Sequence, residues 1–388
     1  MRFEPDADRP RSANLPRPKL ARPIAVRTLP AIGRAAKIVG INLLLLLVLL
    51  VPLELYFGYW LAGPGAVTLF DATPGRVEVR SSPLYPPGTT ITNSRNQYGF
   101  RGGPADPARI DMLVLGGSTT AERYIDDKDI WSVQLETLLH QGDCPIGVAN
   151  AGLDGYSTVG HIASFNGWFD AVSGLKPRFI LAYIGINDAA VSPRSAWYED
   201  STRYKSRWRQ FEHYVAARSA LRRLYGTWRG WWQARQAGLL HDEVPITLTT
   251  VWQPASLPAG FETAVAEKVQ AYRLRLARLT QLIHEFGAQP IYVTQKRLDG
   301  RLVDGAWQEI PGSESARSAA TLAAINRATL EFCRERGEVC VDLAEEIDFA
   351  PSEFADGVHT RPSGSAHIGR FLAGALQPVV CAAPGRPR

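Results

Sequence analysis

An apolar run, Leu113-Val114-Leu115, breaks at Gly116-Gly117 and delivers Ser118, with Thr119-Thr120 behind it. The pattern predicts a buried strand that ends in a tight turn and presents the hydroxyl at the edge of a sheet. Far downstream, Asp356-Gly357-Val358-His359 sets a carboxylate and an imidazole three residues apart. At that spacing the acid can orient the ring while the ring takes the proton from a serine, which turns a poor nucleophile into a competent one. Attack on an acyl carbon then develops negative charge on the carbonyl oxygen, so fixed N–H donors must be aimed at it.

Two further segments have the right form to supply those donors. Asn150-Ala151-Gly152-Leu153-Asp154-Gly155-Tyr156-Ser157-Thr158 follows the apolar run Ile146 to Ala149, and Gly185-Ile186-Asn187-Asp188 follows Phe179 to Ile184. Each is a strand end spilling into a polar, glycine-bearing loop. Singly they say little: Gly-Gly-Ser after a strand is commonly only a turn, Asn187 fits a loop cap, Gly155 fits a simple positive φ, and an acid three residues before a histidine is frequent on surfaces. Their order is the signal. The four segments together resemble blocks one, two, three and five of the SGNH (GDSL-like) hydrolase superfamily, over roughly residues 110 to 376. The resemblance implies that Ser118 is the nucleophile, His359 the base and Asp356 its orienter. It also implies an oxyanion hole made by the Ser118 and Gly155 backbone N–H groups and the Asn187 side chain. One departure is visible, since the Asp of the family's Gly-Asp-Ser block is Gly117 here; that Asp is not the proton-transfer group.

A second strong feature lies near the start of the chain. Ile38 to Leu61 is almost continuously apolar, interrupted by Asn42, Pro52 and Glu54, and about 20 such residues suffice to cross a bilayer. Tyr56, Tyr59 and Trp60 fit an interfacial aromatic belt, and Glu54 lies close enough to one end to reach headgroups. Residues 1 to 37 hold nine Lys or Arg against Glu4, Asp6 and Asp8, a net of +6, whereas the whole chain carries +5, which leaves everything after residue 37 near −1. The basicity therefore belongs to the tail. By the positive-inside rule the tail stays cytoplasmic, the helix is a single-pass anchor in the cytoplasmic membrane, and the remainder lies outside, in the periplasm of a bacterial host. Nucleic-acid binding is not expected of a near-neutral domain. The rival is a cleaved signal peptide, with Leu61-Ala62-Gly63 as a weak cleavage site, although its apolar core would be shorter, about 7 to 15 residues.

Cys144, Cys333, Cys340 and Cys381 all follow the apolar segment, without Cys-x-x-Cys spacing or neighbouring histidines at metal-ligand spacing. This suits an exported domain. Four cysteines allow three pairings; Cys333 and Cys340 flank the turn between a helix and a strand and are the preferred pair, with reduced buried thiols as the alternative.

The elements that must position the chemistry follow from the pattern. Residues 63 to 108 form a Pro-, Gly- and Thr-rich stalk that partly packs on the domain, and Asn96-Gln97-Tyr98-Gly99-Phe100-Arg101 within it resembles a segment often seen ahead of block one in exported relatives. Over residues 109 to 380, strands are expected at 111–115, Ile146–Ala149, Phe179–Ile184, Thr247–Val251, Pro290–Thr294 and Val339–Leu343. Helices are expected at Trp131–Leu139, Val159–Val172, Ala264–Phe286 and Ala316–Arg334. The alternation predicts an α/β fold, a three-layer sandwich with a mainly parallel sheet of the SGNH or flavodoxin-like kind, preceded by one transmembrane helix. The site then falls at the carboxyl ends of the strands.

Residues 194 to 240 interleave Trp197, Trp208, Trp228, Trp231 and Trp232 with many arginines. They fit either an amphipathic helical cover for the sheet or a flank that meets a membrane surface or an anionic glycan. His367 is read as a residue of the helix surface or one that supports the site from behind, His161 as packing on the second helix in preference to lining the pocket, and Asp188 as a loop brace. No phosphate loop or metal constellation is present, so no cofactor is implied. The expected activity is carbohydrate or lipid O-acyl ester hydrolysis outside the membrane. The alternative within the fold is an O-acyltransferase acting on an exported polysaccharide, with an export or acyl-transfer partner. A silent glycan-binding or assembly protein is the alternative of another class.

Overall fold

In the computed structural model the described residues are 29–57, 60, 75–80, 84–191, 215, 219–222, 224, 225, 228, 246, 247, 249–313 and 315–382. Most of the Trp- and Arg-rich stretch and residues 1–28 of the basic tail lie outside them. The chain divides into two compact units, residues 1–58 and 59–388.

The described residues of the first unit form a helix, α1 (Leu29–Phe57). Its 20-residue stretch Lys37–Tyr56 is long and apolar enough to cross a membrane, since at 1.5 Å per residue it spans about 30 Å. A signal sequence meets the same test. Asn42 donates its side-chain amide to the Ile38 carbonyl one turn back, at 3.0 Å, which satisfies one of its donors within the helix.

The first strands among the described residues of the second unit form an antiparallel hairpin, β1 (Gly75–Arg80) and β2 (Thr90–Arg95). The nucleophile region follows with β3 (Ile110–Gly116), α2 (Ser118–Ala121), α3 (Trp131–Gln141), β4 (Gly147–Asn150), α4 (Thr158–Phe165), β5 (Phe179–Tyr183) and α5 (Ile186–Ala189). After residue 250 come β6 (Gln253–Pro254), α6 (Phe261–Glu285), β7 (Gln289–Val293), β8 (Gly300–Val303), β9 (Ala306–Glu309), α7 (Ser315–Arg336), β10 (Val339–Val341), α8 (Leu343–Glu346) and α9 (Pro362–Val380).

Five strands form a wholly parallel sheet in the order β10-β7-β5-β3-β4. Alternation along the strands divides the core. Leu113, Leu115, Ile180, Ala182 and Tyr292 face α4, α6 and α7 through Phe165, Tyr272, Leu276 and Ile325. Met112, Val114, Phe179, Leu181, Ile291 and Val293 face α3 and α9 through Trp131, Leu135, Ile368 and Leu372. Because both faces are covered, β3 and β5 read as unbroken apolar runs rather than alternating ones, as buried parallel strands do. The expected three-layer α/β architecture is what the chain adopts. From β3 the chain steps to β4 on one side and returns to β5 on the other, so the crevice at the switch point opens at the carboxyl ends of β3 and β5.

Two expected elements differ. Thr247–Val251 is not a strand among its described residues: the Thr250 N–H bonds the Thr247 carbonyl at 3.0 Å, and the Thr250 hydroxyl accepts from the Thr247 N–H at 2.8 Å. Clustered threonine hydroxyls here serve a turn in place of a ladder, and Val251 is left 71% exposed. The strand begins two residues later, as β6, in a separate antiparallel sheet with β9 and β8. The helix expected over Val159–Val172 stops at Phe165, where Asn166-Gly167 interrupts it, and resumes as a 3-10 turn at Phe169–Ala171.

Residues 84–108 belong to the folded unit. Phe100 is fully buried in the core, and Arg101 and Asn150 exchange backbone hydrogen bonds at 2.9 and 3.0 Å, an antiparallel bridge at the end of β4. Two disulfides close the structure: Cys333–Cys340, the preferred pair, and Cys144–Cys381, which ties the loop after α3 to the end of α9.

Candidate active site

The nucleophile turn is built by close approach. Strand β3 ends at Gly116 and Ser118 opens α2. A Cβ on Gly116 would lie 2.0 Å from the Thr120 hydroxyl, and one on Gly117 would lie 2.1 Å from the Asn187 amide nitrogen. Only glycine lets the chain turn here. Where the family pattern has an aspartate, the Asn187 amide occupies the space, so the departure at position 117 has a local steric reason. The turn is closed by N–H groups of Thr120 and Ala121 on the Gly117 carbonyl and of Glu122 on the Ser118 carbonyl, at 2.9 to 3.0 Å. Asn150, fully buried, donates its amide to the Thr120 carbonyl and to the Ser132 hydroxyl, at 2.7 and 3.0 Å.

The base loop precedes α9. One carboxylate oxygen of Asp356 accepts the Val358 and His359 backbone N–H groups, both at 2.7 Å, and the other meets His359 Nδ1 at 2.7 Å. His359 Nε2 meets the Ser118 Oγ at 2.8 Å. The relay Asp356–His359–Ser118 is therefore complete. Burial acts to raise the Asp356 pKa, but the hydrogen bond and charge of His359 and the two backbone N–H donors outweigh it and bring it down to about 2. The carboxylate is ionised whenever the ring needs a partner.

The loop after β4 runs beside the end of β3, with the Ala151 and Leu153 N–H groups on the Val114 and Gly116 carbonyls at 2.8 and 3.0 Å. Gly155 lies on this loop, two residues beyond Leu153. Its φ of +75° favours glycine, and the space beside its Cα is open. Asn187 donates to the Tyr156 carbonyl at 2.8 Å, which joins the second and third loops. The structure thus brings together Ser118, His359, Asp356, Asn187 and the loop of Gly155. Among the described residues no group of three or more His, Cys, Asp or Glu is arranged to hold a metal.

Several supporting residues escaped the sequence reading. Arg101 is 1% exposed. Its guanidinium donates to the carbonyls of Ala121, Glu122 and Ile125 and pairs with Asp127 at 2.8 Å. Glu122, in left-handed backbone at φ 45°, accepts the Trp131 N–H at 2.8 Å and the Thr360 hydroxyl at 3.3 Å, linking the end of α2 to the residue after His359. Burial raises its pKa to about 7 against the opposing pull of Trp131, Ser365, Arg101 and Thr360. The Asn96 to Arg101 motif was the one available signal for Arg101; nothing local marks Glu122.

The residues given plain roles keep them. Asp188 is buried and accepts the Thr158 N–H and hydroxyl while pairing with Arg275 at 3.1 Å, which braces the third loop against α4. His161 is buried beside Tyr156, and burial lowers its pKa to about 3, so it stays neutral. His367 sits on α9 against Phe349, its Nδ1 3.1 Å from Glu353.

A comparison with solved structures gives distant likenesses. TesA matches at 15% identity with a TM-score of 0.40, covering 69% of this chain and 98% of its own. Axe2, an acetylxylan esterase from Geobacillus stearothermophilus, matches at 16% and 0.38, covering 67% and 91%. A putative lipolytic protein of the G-D-S-L family from Desulfitobacterium hafniense matches at 11% and 0.38, covering 69% and 99%. No curated protein sequence matches. Residues 114–367, more than half of the chain, match the GDSL-like Lipase/Acylhydrolase family. That span takes in the whole of the Ser118, Gly155, Asn187, Asp356 and His359 constellation, and the chain belongs to this family as a serine esterase/acylhydrolase.

Proposed function

We propose that Ser118 attacks the acyl carbon of an O-acyl ester, with His359 as general base and Asp356 holding the ring in the required tautomer. In this reading the Ser118 and Gly155 N–H groups and the Asn187 amide receive the oxyanion. His359 then returns its proton to the leaving alkoxide, and a water activated by the same ring releases the acid. The observation that carries the reading is the unbroken relay from the Asp356 carboxylate through His359 to the Ser118 hydroxyl, at 2.7 and 2.8 Å. Its completeness argues against a silent binding protein.

The substrate we assign is an acylated carbohydrate or lipid outside the cytoplasmic membrane. Three features support that location: the 20-residue apolar span Lys37–Tyr56, the basic tail before it, and two disulfides with no free cysteine among the described residues, since such bonds persist in oxidising compartments. The His359 side chain is 26% exposed, so an acceptor from solution can reach the base, and water, far more concentrated than any sugar hydroxyl, is the acceptor we assign.

A serine-directed fluorophosphonate should label Ser118, and Ser118→Ala should lower p-nitrophenyl acetate turnover by about 10,000-fold with the fold intact. Full activity in Ser118→Ala removes the reading. Supplying dilute oligosaccharide acceptors in the same assay separates the two fates of the acyl group. Acylated sugar in excess of free acid would make the enzyme a transferase.

A further inference from the structure

The three loops of the site each end a different strand, and something must hold their spacing once the backbone ladders stop. Between β3 and β5 the registered pairs end at Gly116 and Tyr183, short of Ser118 and of Asn187. Gln295, just beyond β7 and 2% exposed, fills that gap. Its Oε1 accepts the Ile186 N–H at 2.7 Å, and its Nε2 donates to the Thr119 hydroxyl at 2.9 Å. The orientation of the amide is settled by chemistry, because a backbone N–H can only donate and so must face the oxygen. One side chain therefore touches the residue after the nucleophile and the residue before the oxyanion donor.

The bridge is itself fixed. The Gln295 carbonyl accepts the Asn326 amide at 2.8 Å and its N–H donates to the Asn326 side-chain oxygen at 3.3 Å. Asn326 lies on α7, so the bridge is held by a helix rather than a loop. A Cβ on Gly185, at φ +138°, would lie 3.2 Å from Leu322 and 3.5 Å from Ile325 and the same Asn326, so the backbone one residue before the Ile186 N–H runs close to α7.

We propose that Gln295 and Thr119 are a positioning pair that sets the separation between the Ser118 nucleophile and the Asn187 oxyanion donor. The inference rests on the serine-ester reading above. Neither residue touches the reacting atoms; both act through their neighbours. A misplacement of about 1 Å between nucleophile and substrate costs on the order of 100-fold in rate, and an oxyanion donor is useful only at about 2.7 to 3.1 Å from the developing charge.

The test uses the full chain in detergent with p-nitrophenyl acetate. Thr119→Val keeps the shape and removes the acceptor for Gln295. It should lower kcat about tenfold with KM within about twofold, and slow fluorophosphonate labelling in parallel. Thr119→Ala deletes the same hydroxyl without adding bulk and should show the same loss, whereas Thr119→Ser should restore the wild-type rate. In an Asn187→Ala background the valine should add less than about twofold, because the donor it would misplace is gone. Wild-type kcat in Thr119→Val and Thr119→Ala overturns the proposal, as does an undiminished tenfold loss in the Asn187→Ala background. Those results leave the serine reading standing if Ser118→Ala is inactive; an active Ser118→Ala takes both down together.

Discussion

The nucleophile turn and the base loop complete one relay by opposite means. The base loop, from Phe354 to Thr360, carries most of its own geometry. Asp356 accepts two N–H groups from residues two and three positions on, the same carboxylate grips the ring of His359, and the Ala355 N–H bonds the His359 carbonyl at 2.8 Å. The nucleophile turn borrows its geometry from afar. Arg101, Asn150 and Gln295 reach it from three other parts of the chain, and Glu122 ties it to Thr360 at a sequence distance of 238. A self-contained motif is legible in a short window of sequence, whereas a borrowed one depends on contacts that no window contains.

The largest effect that sharpens this contrast comes from within the base loop. Asp356→Asn keeps an oxygen for the two backbone N–H groups but turns an amide toward His359 Nδ1 and imposes the wrong tautomer. Its kcat should fall by about 1,000-fold or more, with a melting temperature near wild type. A large loss of melting temperature in Asp356→Asn would show that the loop is not locally built.

Arg101→Leu probes the borrowed side. It deletes a buried cation and leaves the carbonyls of Ala121, Glu122 and Ile125 without that donor, so chemical denaturation should show a loss of about 4 kcal/mol. Arg101→Lys should not rescue it, because one ammonium cannot reproduce the planar fork that meets several acceptors at once. Unchanged stability in either variant would mean that the segment before β3 is a passive wrap.

The smallest effect concerns pH. Glu122 titrates near 4.5 when unfolded and near 7 when folded. Between those values the folded state binds more protons, so stability contributed by this group is complete below about pH 4.5 and declines as pH rises through 7. In Glu122→Gln that decline should vanish, leaving the variant more stable than wild type above pH 7 by up to about 3 kcal/mol. Parallel stability curves for the two proteins from pH 5 to 8 would assign the slope to another group.

The same contrast explains what the sequence made visible. The strands through Leu113, Ile180 and Ile291 were legible because burial on both faces writes an unbroken apolar run. Ser118, Gly155, Asn187, Asp356 and His359 were legible because each follows such a run or sits in one short motif. Arg101 and Glu122 were not, since a lone arginine or glutamate gives no hint that it will be buried with its partners. The threonines at 247, 249 and 250 misled, because β-branched residues that favour a ladder also hydrogen-bond their own turn.

The two disulfides also bear on the order in which the chain can be completed. As the chain emerges from its amino end, Cys144 appears long before its partner, and both Cys333 and Cys340 become available before Cys381 does. Pairing in order of appearance would join Cys144 to Cys333 and trap the wrong connectivity. The native arrangement is nested, a separation of 7 inside one of 237, and short loops close at far lower entropic cost than long ones. An inner bond made first would withdraw the two competing thiols and leave Cys144 a single choice. In this sense the nested pairing suits a chain completed from its amino end, for a Cys333–Cys340 clip made first would reserve Cys144 until α9, following the base loop, has been made.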